Sequence, residues 1–307
     1  MSSPIIEAKN LSKWYGEVVA LNNIDIAIPQ GVTGLLGPNG AGKSTFIKLA
    51  LGLFSPSRGY VHVHGAAPRN NRKVLQQIGY CPEVDQFHET MTGYEFVYWL
   101  NRQWGMRKKD AIETAESACE RVGMKDRMHD LITTYSKGMR QRIKLAQALA
   151  PAPLLLFLDE PMAGLDPRGR EEIFGLIRQL GDEGLSVIVS SHILHEVEQV
   201  TDQVVLIYNG IVLAQGRVSE IRDVLDTHPR TIRIAGPNLR TLAQEIVGNV
   251  DVLGLELGDG HVDIRTRTPN ETFEQLNQWL AKPGHTGYTL QCTDDDLQSV
   301  FDYLVRR

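Results

Sequence analysis

The chain has 307 residues, of which 42% are hydrophobic and 22% are charged, and its formal net charge is −5. This length predicts roughly two globular domains, because one hydrophobic core rarely serves so many residues. The 37 Asp and Glu residues outnumber the 32 Lys and Arg residues. The chain therefore lacks the general positive field that neutralises phosphates along a nucleic acid, and we expect no nucleic-acid partner.

Apolar runs and cysteines indicate the compartment. Runs such as 154–158 are far shorter than the roughly 20 residues of a membrane-spanning helix. Residues 1–7 have neither the basic region nor the apolar stretch of a signal peptide. The three cysteines, Cys81, Cys119 and Cys292, form no close pair. We therefore expect a cytoplasmic protein that does not itself cross a membrane.

The N-terminal part alternates strands and helices. Residues 5–36 read as short β-type segments, and the last of them leads into a glycine-rich loop and a helical pattern over 45–51. A mainly helical subdomain is predicted over about 88–150. Two uniformly apolar segments, 154–158 and 187–190, are typical of buried parallel strands. The first domain, 1–226, is thus predicted to be α/β.

The C-terminal part, 230–307, follows a different order, after a break near Pro229. The predicted elements are a strand at 231–235, a helix at 239–247, a hairpin of 252–257 and 262–266, a helix at 272–280 and a strand at 288–292. This β-α-β-β-α-β order suggests a small α+β domain of the ferredoxin-like type. A last helix, with Leu297, Val300, Phe301 and Leu304 on one face, is predicted to close it.

The glycine-rich loop matches the eight-position P-loop pattern in full, between a buried strand and a helix. Its residues are Gly37, Pro38, Asn39, Gly40, Ala41, Gly42, Lys43 and Ser44, with Thr45 next. In such a loop, backbone N–H groups surround phosphate oxygens, the Lys reaches the outer phosphates and the Ser hydroxyl binds Mg²⁺. The sequence therefore predicts a nucleoside triphosphate site.

Two adjacent carboxylates, Asp159 and Glu160, follow an apolar strand. Neighbouring side chains of a strand point to opposite faces, and we expect those of Asp159 and Glu160 to do so. Asp159 can then hold the metal, while Glu160 faces the water that attacks the γ-phosphate.

Together with these two motifs, residues 5–222 closely resemble the ATP-binding subunits of ABC transporters. The segment 135–142 is similar to the family's signature segment, 161–166 to its D-loop, and 190–192 to its switch-histidine loop. The resemblance implies a P-loop NTPase of the ABC type, with a mixed sheet plus a helical subdomain, and ATP and Mg²⁺ as cofactors.

The resemblance also assigns roles to single residues. Ser136 and Gly138 would meet the γ-phosphate, and His192 would hold the γ-phosphate region. Lys43 and Glu160 complete the catalytic set. Tyr15 falls where the family places an aromatic ring beneath adenine, although a packed strand aromatic is the alternative.

Two departures from the family pattern stand out. Glu83 replaces the usual Gln, which removes an amide donor and adds a negative charge near the triphosphate. We still expect Glu83 to sense Mg²⁺ and nucleotide. The signature reads Tyr-Ser-Lys-Gly-Met over 135–139 in place of Leu-Ser-Gly-Gly-Gln, so Lys137 adds a cation.

The resemblance implies a head-to-tail pair, in which Lys43 of one copy and Ser136 of the other grip each ATP. The second copy would be the same chain or a homologous ATPase subunit. The pair would drive separate transmembrane permease subunits from the cytoplasmic face of the plasma membrane, as in ABC-2-type exporters. The aromatic residues over 87–104 are equally open to interpretation as core and as the groove for that partner.

Two other functions stay open from the residues alone. One is a soluble ABC-type ATPase that acts on DNA or ribosomes. The other is a regulatory module that binds nucleotide without hydrolysing it, suggested by Glu83 and the altered signature. The C-terminal domain is compatible with a dimer clamp or a small-ligand sensor.

Overall fold

The protein is described by a computed structural model that covers residues 3–224, 230–249, 252–281, 287–292 and 301. It divides into two compact units, Met1–Arg217 and Val218–Arg307. This division assigns the helix Val218–Val224 to the second unit, whereas the sequence placed residues up to 226 in the first. The functional limits 1–226 and 230–307 stay a prediction.

The first unit contains a six-stranded sheet in the order β5-β6-β7-β3-β8-β9 and a three-stranded sheet in the order β2-β1-β4. Its strands are β1 (Ile6–Tyr15), β2 (Val18–Ile28), β3 (Val32–Leu36), β4 (Arg58–Val63), β5 (Ile78–Cys81), β6 (Leu155–Asp159), β7 (Ser186–Ser191), β8 (Gln203–Tyr208) and β9 (Ile211–Arg217). In the larger sheet, the strands β5, β6, β7, β3 and β8 are parallel to one another, and the edge strand β9 is antiparallel to β8. The predicted mixed sheet is confirmed.

Helices and the smaller sheet cover both faces of this central sheet. The helices of the first unit are α1 (Lys43–Ala50), α2 (Arg72–Leu75), α3 (Gly93–Gln103), α4 (Lys108–Arg121), α5 (Lys137–Leu149), α6 (Pro167–Asp182) and α7 (Leu194–Glu198). Alternate residues of β6 enter two separate hydrophobic clusters, with Leu156 and Leu158 in one and Leu155 and Phe157 in the other. A strand buried on both faces reads as one continuous apolar run, which explains why the sequence identified it.

The predicted helical subdomain consists of α3, α4 and α5. Thr92 and Glu95 form a capping box at the start of α3, and Ser136 caps α5 by accepting a hydrogen bond from the Met139 N–H. Of the aromatic side chains over 87–104, Phe87 and Phe96 pack against the core, whereas Trp99 is 50% exposed. The aromatic segment therefore divides between core and surface.

The second unit contains a four-stranded sheet. Its elements are α8 (Val218–Val224), β10 (Arg230–Ala235), α9 (Leu239–Asn249), β11 (Gly254–Leu257), β12 (His261–Thr266), α10 (Pro269–Leu280) and β13 (Thr289–Cys292). The order is β11-β12-β10-β13, and all three neighbouring pairs are antiparallel. This is the ferredoxin-like arrangement that the sequence suggested. The predicted closing helix lies outside the described residues, apart from the helical Phe301.

Candidate functional site

The phosphate loop lies between β3, in the middle of the large sheet, and α1. Gly42 precedes the helix with φ 114°, in the left-handed region, and offers no side chain to cap the first N–H groups of α1. Gly37 also has a positive φ, and a Cβ there would lie 2.0 Å from the Ile207 carbonyl oxygen. The loop therefore needs glycine at both positions, and it leaves a helix N-terminus open to an anion.

Lys43 is the first residue of α1, two residues before the predicted helix start, and its side chain is only 6% exposed. Its Nζ donates to the carbonyl oxygens of Gly37 at 2.6 Å and Pro38 at 3.3 Å. The same ammonium lies 3.3 Å from Glu160 Oε1, although that oxygen receives no hydrogen bond of good geometry. A phosphate that approached the loop would offer this cation a stronger partner than two neutral carbonyl groups.

Asp159 ends β6 and is buried. Its Oδ1 accepts a hydrogen bond from Ser190 Oγ at 2.6 Å and a longer one from Ser44 Oγ at 3.4 Å. The contact exists because Asp159 and Ser190 are register partners on the parallel strands β6 and β7. The hydroxyl of the phosphate loop and the carboxylate of the strand therefore meet at one point, and their predicted role in binding the metal stays a prediction.

Glu160 does not continue the strand. Its φ is 48°, a left-handed conformation that is strained for a residue with a side chain. The strand argument from the sequence was thus wrong in its detail, because the backbone turns at Glu160. The turn is held by a hydrogen bond from the Glu160 N–H to Ser190 Oγ at 2.9 Å.

The turn places the Glu160 side chain between Lys43 and His192. Glu160 Oε2 lies 2.9 Å from His192 Nδ1, and the carboxylate is 10% exposed while the imidazole is 41% exposed. A largely buried carboxylate with one cation and one imidazole beside it, next to the phosphate loop, has the position of a general base. The structure therefore brings Lys43, Glu160 and His192 together.

The site offers oxygen ligands of the kind that Mg²⁺ prefers, namely the hydroxyl of Ser44 and the carboxylate of Asp159. Among the described residues, no group of three or more His, Cys, Asp or Glu side chains could hold a metal alone. These two ligands therefore fit a Mg²⁺ ion that also binds phosphate oxygens and water.

Glu83 lies just beyond β5, with its side chain exposed. Its carbonyl oxygen accepts a hydrogen bond from Lys144 Nζ at 2.9 Å. The pKa of Tyr80 is raised, mainly because its hydroxyl is buried and also because negative charges lie nearby, including those of Asp159 and Glu83. Tyr80 thus experiences the fields of both carboxylates.

Tyr15 is 41% exposed at the end of β1. Its ring contacts Phe54 edge-on, with the ring centroids 5.8 Å apart, and Lys13 Nζ lies 5.1 Å from its centroid. The ring is therefore exposed rather than packed in a core, and it can accept a base by stacking.

Ser136 and Gly138 are not part of the phosphate site. Ser136 forms no hydrogen bond with the phosphate loop in the part of the chain that the structure describes. Instead, both residues line a cleft of about 540 Å³ together with Lys137 and the loop residues Gly164 and Asp166. The structure thus separates the predicted site residues into two groups.

Sequence reasoning did not assign roles to Ser190 and Lys144. Ser190 joins Asp159 and Glu160, and Lys144 is a buried cation that holds the segment carrying Glu83. A sequence signal for Ser190 was available, because Ser190 lies two residues before His192, on a strand that was predicted to be parallel to β6. Nothing in the pattern of α5 distinguished Lys144 from the exposed Lys137 on the same helix.

The comparisons with known proteins agree on one family. The family model described as ABC transporter matches residues 21–163. The bacitracin transport ATP-binding protein BcrA of Enterococcus faecalis is 31% identical over 98% of this chain and 96% of its own length. The daunorubicin/doxorubicin resistance ATP-binding protein DrrA of Streptomyces peucetius is 34% identical over 79% of this chain and 74% of its own.

A solved structure of an ATP-binding subunit of an ABC transporter superimposes with a TM-score of 0.64 at 28% identity, over 72% of this chain and 93% of the other. The cbiO1 protein of Clostridium perfringens, part of the ABC transporter complex cbiONQ, gives the same TM-score and identity over 73% of this chain and 95% of the other. No helix in the described residues has the length and apolar character needed to span a membrane. The chain belongs to the ABC transporter family, as an ATP-binding subunit that hydrolyses ATP to power transport.

Proposed function

We propose that this subunit drives export through separate membrane-spanning permease subunits, from the cytoplasmic face of the plasma membrane. Support comes from relatives whose names refer to bacitracin transport and to daunorubicin/doxorubicin or linearmycin resistance. These names favour an exporter of the ABC-2 type over a soluble ATPase that acts on DNA or ribosomes. The cargo path belongs to the permease subunits, so its chemistry is set outside this chain.

The contact of Glu160 with both Lys43 and His192 carries the proposed chemistry. Lys43 leaves the Gly37 and Pro38 carbonyls and binds the outer phosphates of ATP. Glu160 then accepts a proton from the attacking water, and His192 holds Glu160 and the γ-phosphate region in place. Ser44 and Asp159 would hold Mg²⁺, which would supply charge neutralisation at the triphosphate.

The remaining predicted residues complete the site in this proposal. The loop residues Gly37, Asn39, Gly40, Ala41 and Gly42, with Thr45, bind the phosphates through backbone N–H groups, and Pro38, which has no N–H, fixes the backbone of the loop. The Tyr15 ring stacks on adenine, and Glu83 senses the metal and the nucleotide.

The active assembly is proposed to be a head-to-tail pair with a second copy or a homologous subunit. The cleft beside Ser136 and Gly138 supports the pairing, because it is lined by four cationic side chains and two anionic ones. The cationic residues are Arg127, Lys137, Arg142 and Arg168. Such a cleft attracts a triphosphate bound to another copy, whereas Ser136 forms no hydrogen bond with the phosphate loop of its own chain among the described residues.

The first test replaces the proposed base, Glu160→Gln, in the full chain. Turnover of ATP should fall by about 10²–10⁴-fold, the usual contribution of a general base, while ATP binding survives. Glu113→Gln, at an exposed pair on α4, is the matched control and should hydrolyse ATP normally. Wild-type turnover in Glu160→Gln would remove Glu160 from this role.

The second test identifies the assembly. The tagged protein is purified from gently solubilised membranes of its native cells, and the proteins that accompany it are identified. A membrane-spanning partner is expected. Recovery only in the soluble fraction, with ribosomes or DNA attached, would overturn the export proposal and leave the ATPase chemistry intact.

A further inference from the structure

A second buried carboxylate, Glu196 on α7, lies behind the site. Its side chain is 8% exposed, and both of its oxygens have partners. Oε2 accepts a hydrogen bond from Ser191 Oγ at 3.0 Å, and Oε1 lies 3.2 Å from Arg170 NH1. Ser191 Oγ in turn accepts a hydrogen bond from the Ile193 N–H at 3.0 Å. Glu196 therefore fixes the residues on either side of His192.

Arg170, on the first turns of α6, extends the connection to another loop. Its Nε donates to the Leu165 carbonyl oxygen at 3.2 Å, while its NH1 binds Glu196. Leu165 belongs to the segment 161–166, which directly follows Glu160 and lines the cleft beside Ser136. One guanidinium thus joins the loop after Glu160 to the loop that carries His192.

Both of these loops adjoin Glu160. The segment 161–166 continues the chain from the strained Glu160, and His192 contacts the Glu160 carboxylate at 2.9 Å. A shift of either loop changes the direction of this carboxylate. The hydrogen bonds of Lys43 Nζ, by contrast, go to the carbonyl oxygens of Gly37 and Pro38 and involve neither Arg170 nor Glu196.

We propose that Arg170 and Glu196 form a positioning pair that holds the loops 161–166 and 191–193 in register around Glu160, and so transmits the state of the cleft to the hydrolytic site. The inference rests on the proposed role of Glu160. The pair acts on the rate of hydrolysis and leaves the affinity for ATP unchanged. Neither residue belongs to the phosphate loop or to the predicted nucleotide-binding residues.

The test compares Arg170→Met, Glu196→Gln and the double variant in the full chain. Turnover should fall by about 10- to 100-fold in Arg170→Met, because a misplacement of about 1 Å is enough for such a loss. The dissociation constant for ATP should stay within about twofold of wild type, since the loss concerns the chemical step alone. Because the two residues act as a unit, the double variant should be no slower than the slower single variant.

Controls separate positioning from general stability. Glu183→Gln removes the carboxylate of an exposed pair with Arg121 at the other end of α6, and it should leave turnover unchanged. The reciprocal swap, Arg170→Glu with Glu196→Arg, should recover part of the lost turnover. Thermal unfolding of each variant shows whether it is folded when it is assayed.

Three results would overturn the proposal: normal turnover in Arg170→Met, losses that multiply in the double variant, or a loss of ATP affinity that matches the loss of turnover. Glu160→Gln is assayed in parallel. If Glu160→Gln keeps full activity, the proposed base fails. If Glu160→Gln is inactive while Arg170→Met is normal, only the positioning pair fails.

Discussion

Ser190 shows how one hydroxyl organises two carboxylates. It donates to Asp159 at 2.6 Å and accepts from the Glu160 N–H at 2.9 Å, so it fixes the metal-binding side chain and the turn that aims the base. It is fully buried, so water cannot replace it at low cost.

Ser190→Ala should therefore lower both stability and turnover. A buried Asp159 that loses a donor costs about 1–3 kcal/mol of unfolding free energy. Turnover should fall by about tenfold or more, because the general base loses its orientation. Ser186→Ala on the same strand removes a hydroxyl that accepts from the Gly31 N–H, and it should reduce stability alone. Equal turnover in the two variants would contradict the role of Ser190.

The thiols of Cys81 and Cys119 are buried, and desolvation raises the pKa of each to about 12. In a Cys292→Ser background, both should resist a thiol reagent at pH 8 until the protein unfolds. The pKa of each thiol in the folded protein lies above its ordinary value of 9.0. The contribution of the two protonated thiols to the free energy of unfolding is therefore complete below pH 9 and is lost as the pH rises toward 12. Rapid labelling of the native protein would contradict this assignment.

At the scale of elements, α5 connects two regions that are distant in the chain. Ser136 caps its N-terminus, and farther along Lys144 Nζ donates to the carbonyl oxygens of Pro82 at 3.0 Å and Glu83 at 2.9 Å. The same ammonium lies 2.9 Å from Asp85 Oδ1. A single helix thus holds the segment that carries Glu83.

Lys144→Met should release this segment. Removing one partner of a buried pair costs roughly 3–5 kcal/mol, and half-exposed Asp85 places the expected loss at the lower end. Unfolding in urea measures the loss, and the Mg²⁺ concentration for half-maximal ATPase activity should rise. Lys109→Met, which breaks an exposed pair with Glu113, should change neither quantity. An unchanged Mg²⁺ dependence in a folded Lys144→Met protein would contradict the proposed role of Glu83 in sensing the metal.

At the scale of the whole molecule, each hydrophobic cluster lies within one of the two units. Two clusters contain only residues of Met1–Arg217, and a third contains only residues of the ferredoxin-like unit. Each unit therefore has a core of its own.

A chain that ends at Arg217 should fold and bind ATP with an affinity within about twofold of the full chain, because its cores and phosphate loop are complete. If the second unit acts as a dimer clamp, ATP-induced pairing of the shortened chain should be weaker in sedimentation experiments. Loss of ATP binding on truncation would contradict the independence of the first unit. Unchanged pairing would exclude the clamp.

The sequence by itself determined the phosphate loop, the buried strand before Asp159 and the ferredoxin-like order of the second unit. These are local patterns, and each follows from a few neighbouring residues. Tertiary structure alone decided the turn at Glu160, the bridging by Ser190, the burial of Lys144 and the link between Arg170 and Glu196. Each of these depends on strands or loops that meet from distant parts of the chain, because parallel pairing joins residues far apart in sequence, and no local pattern encodes those contacts.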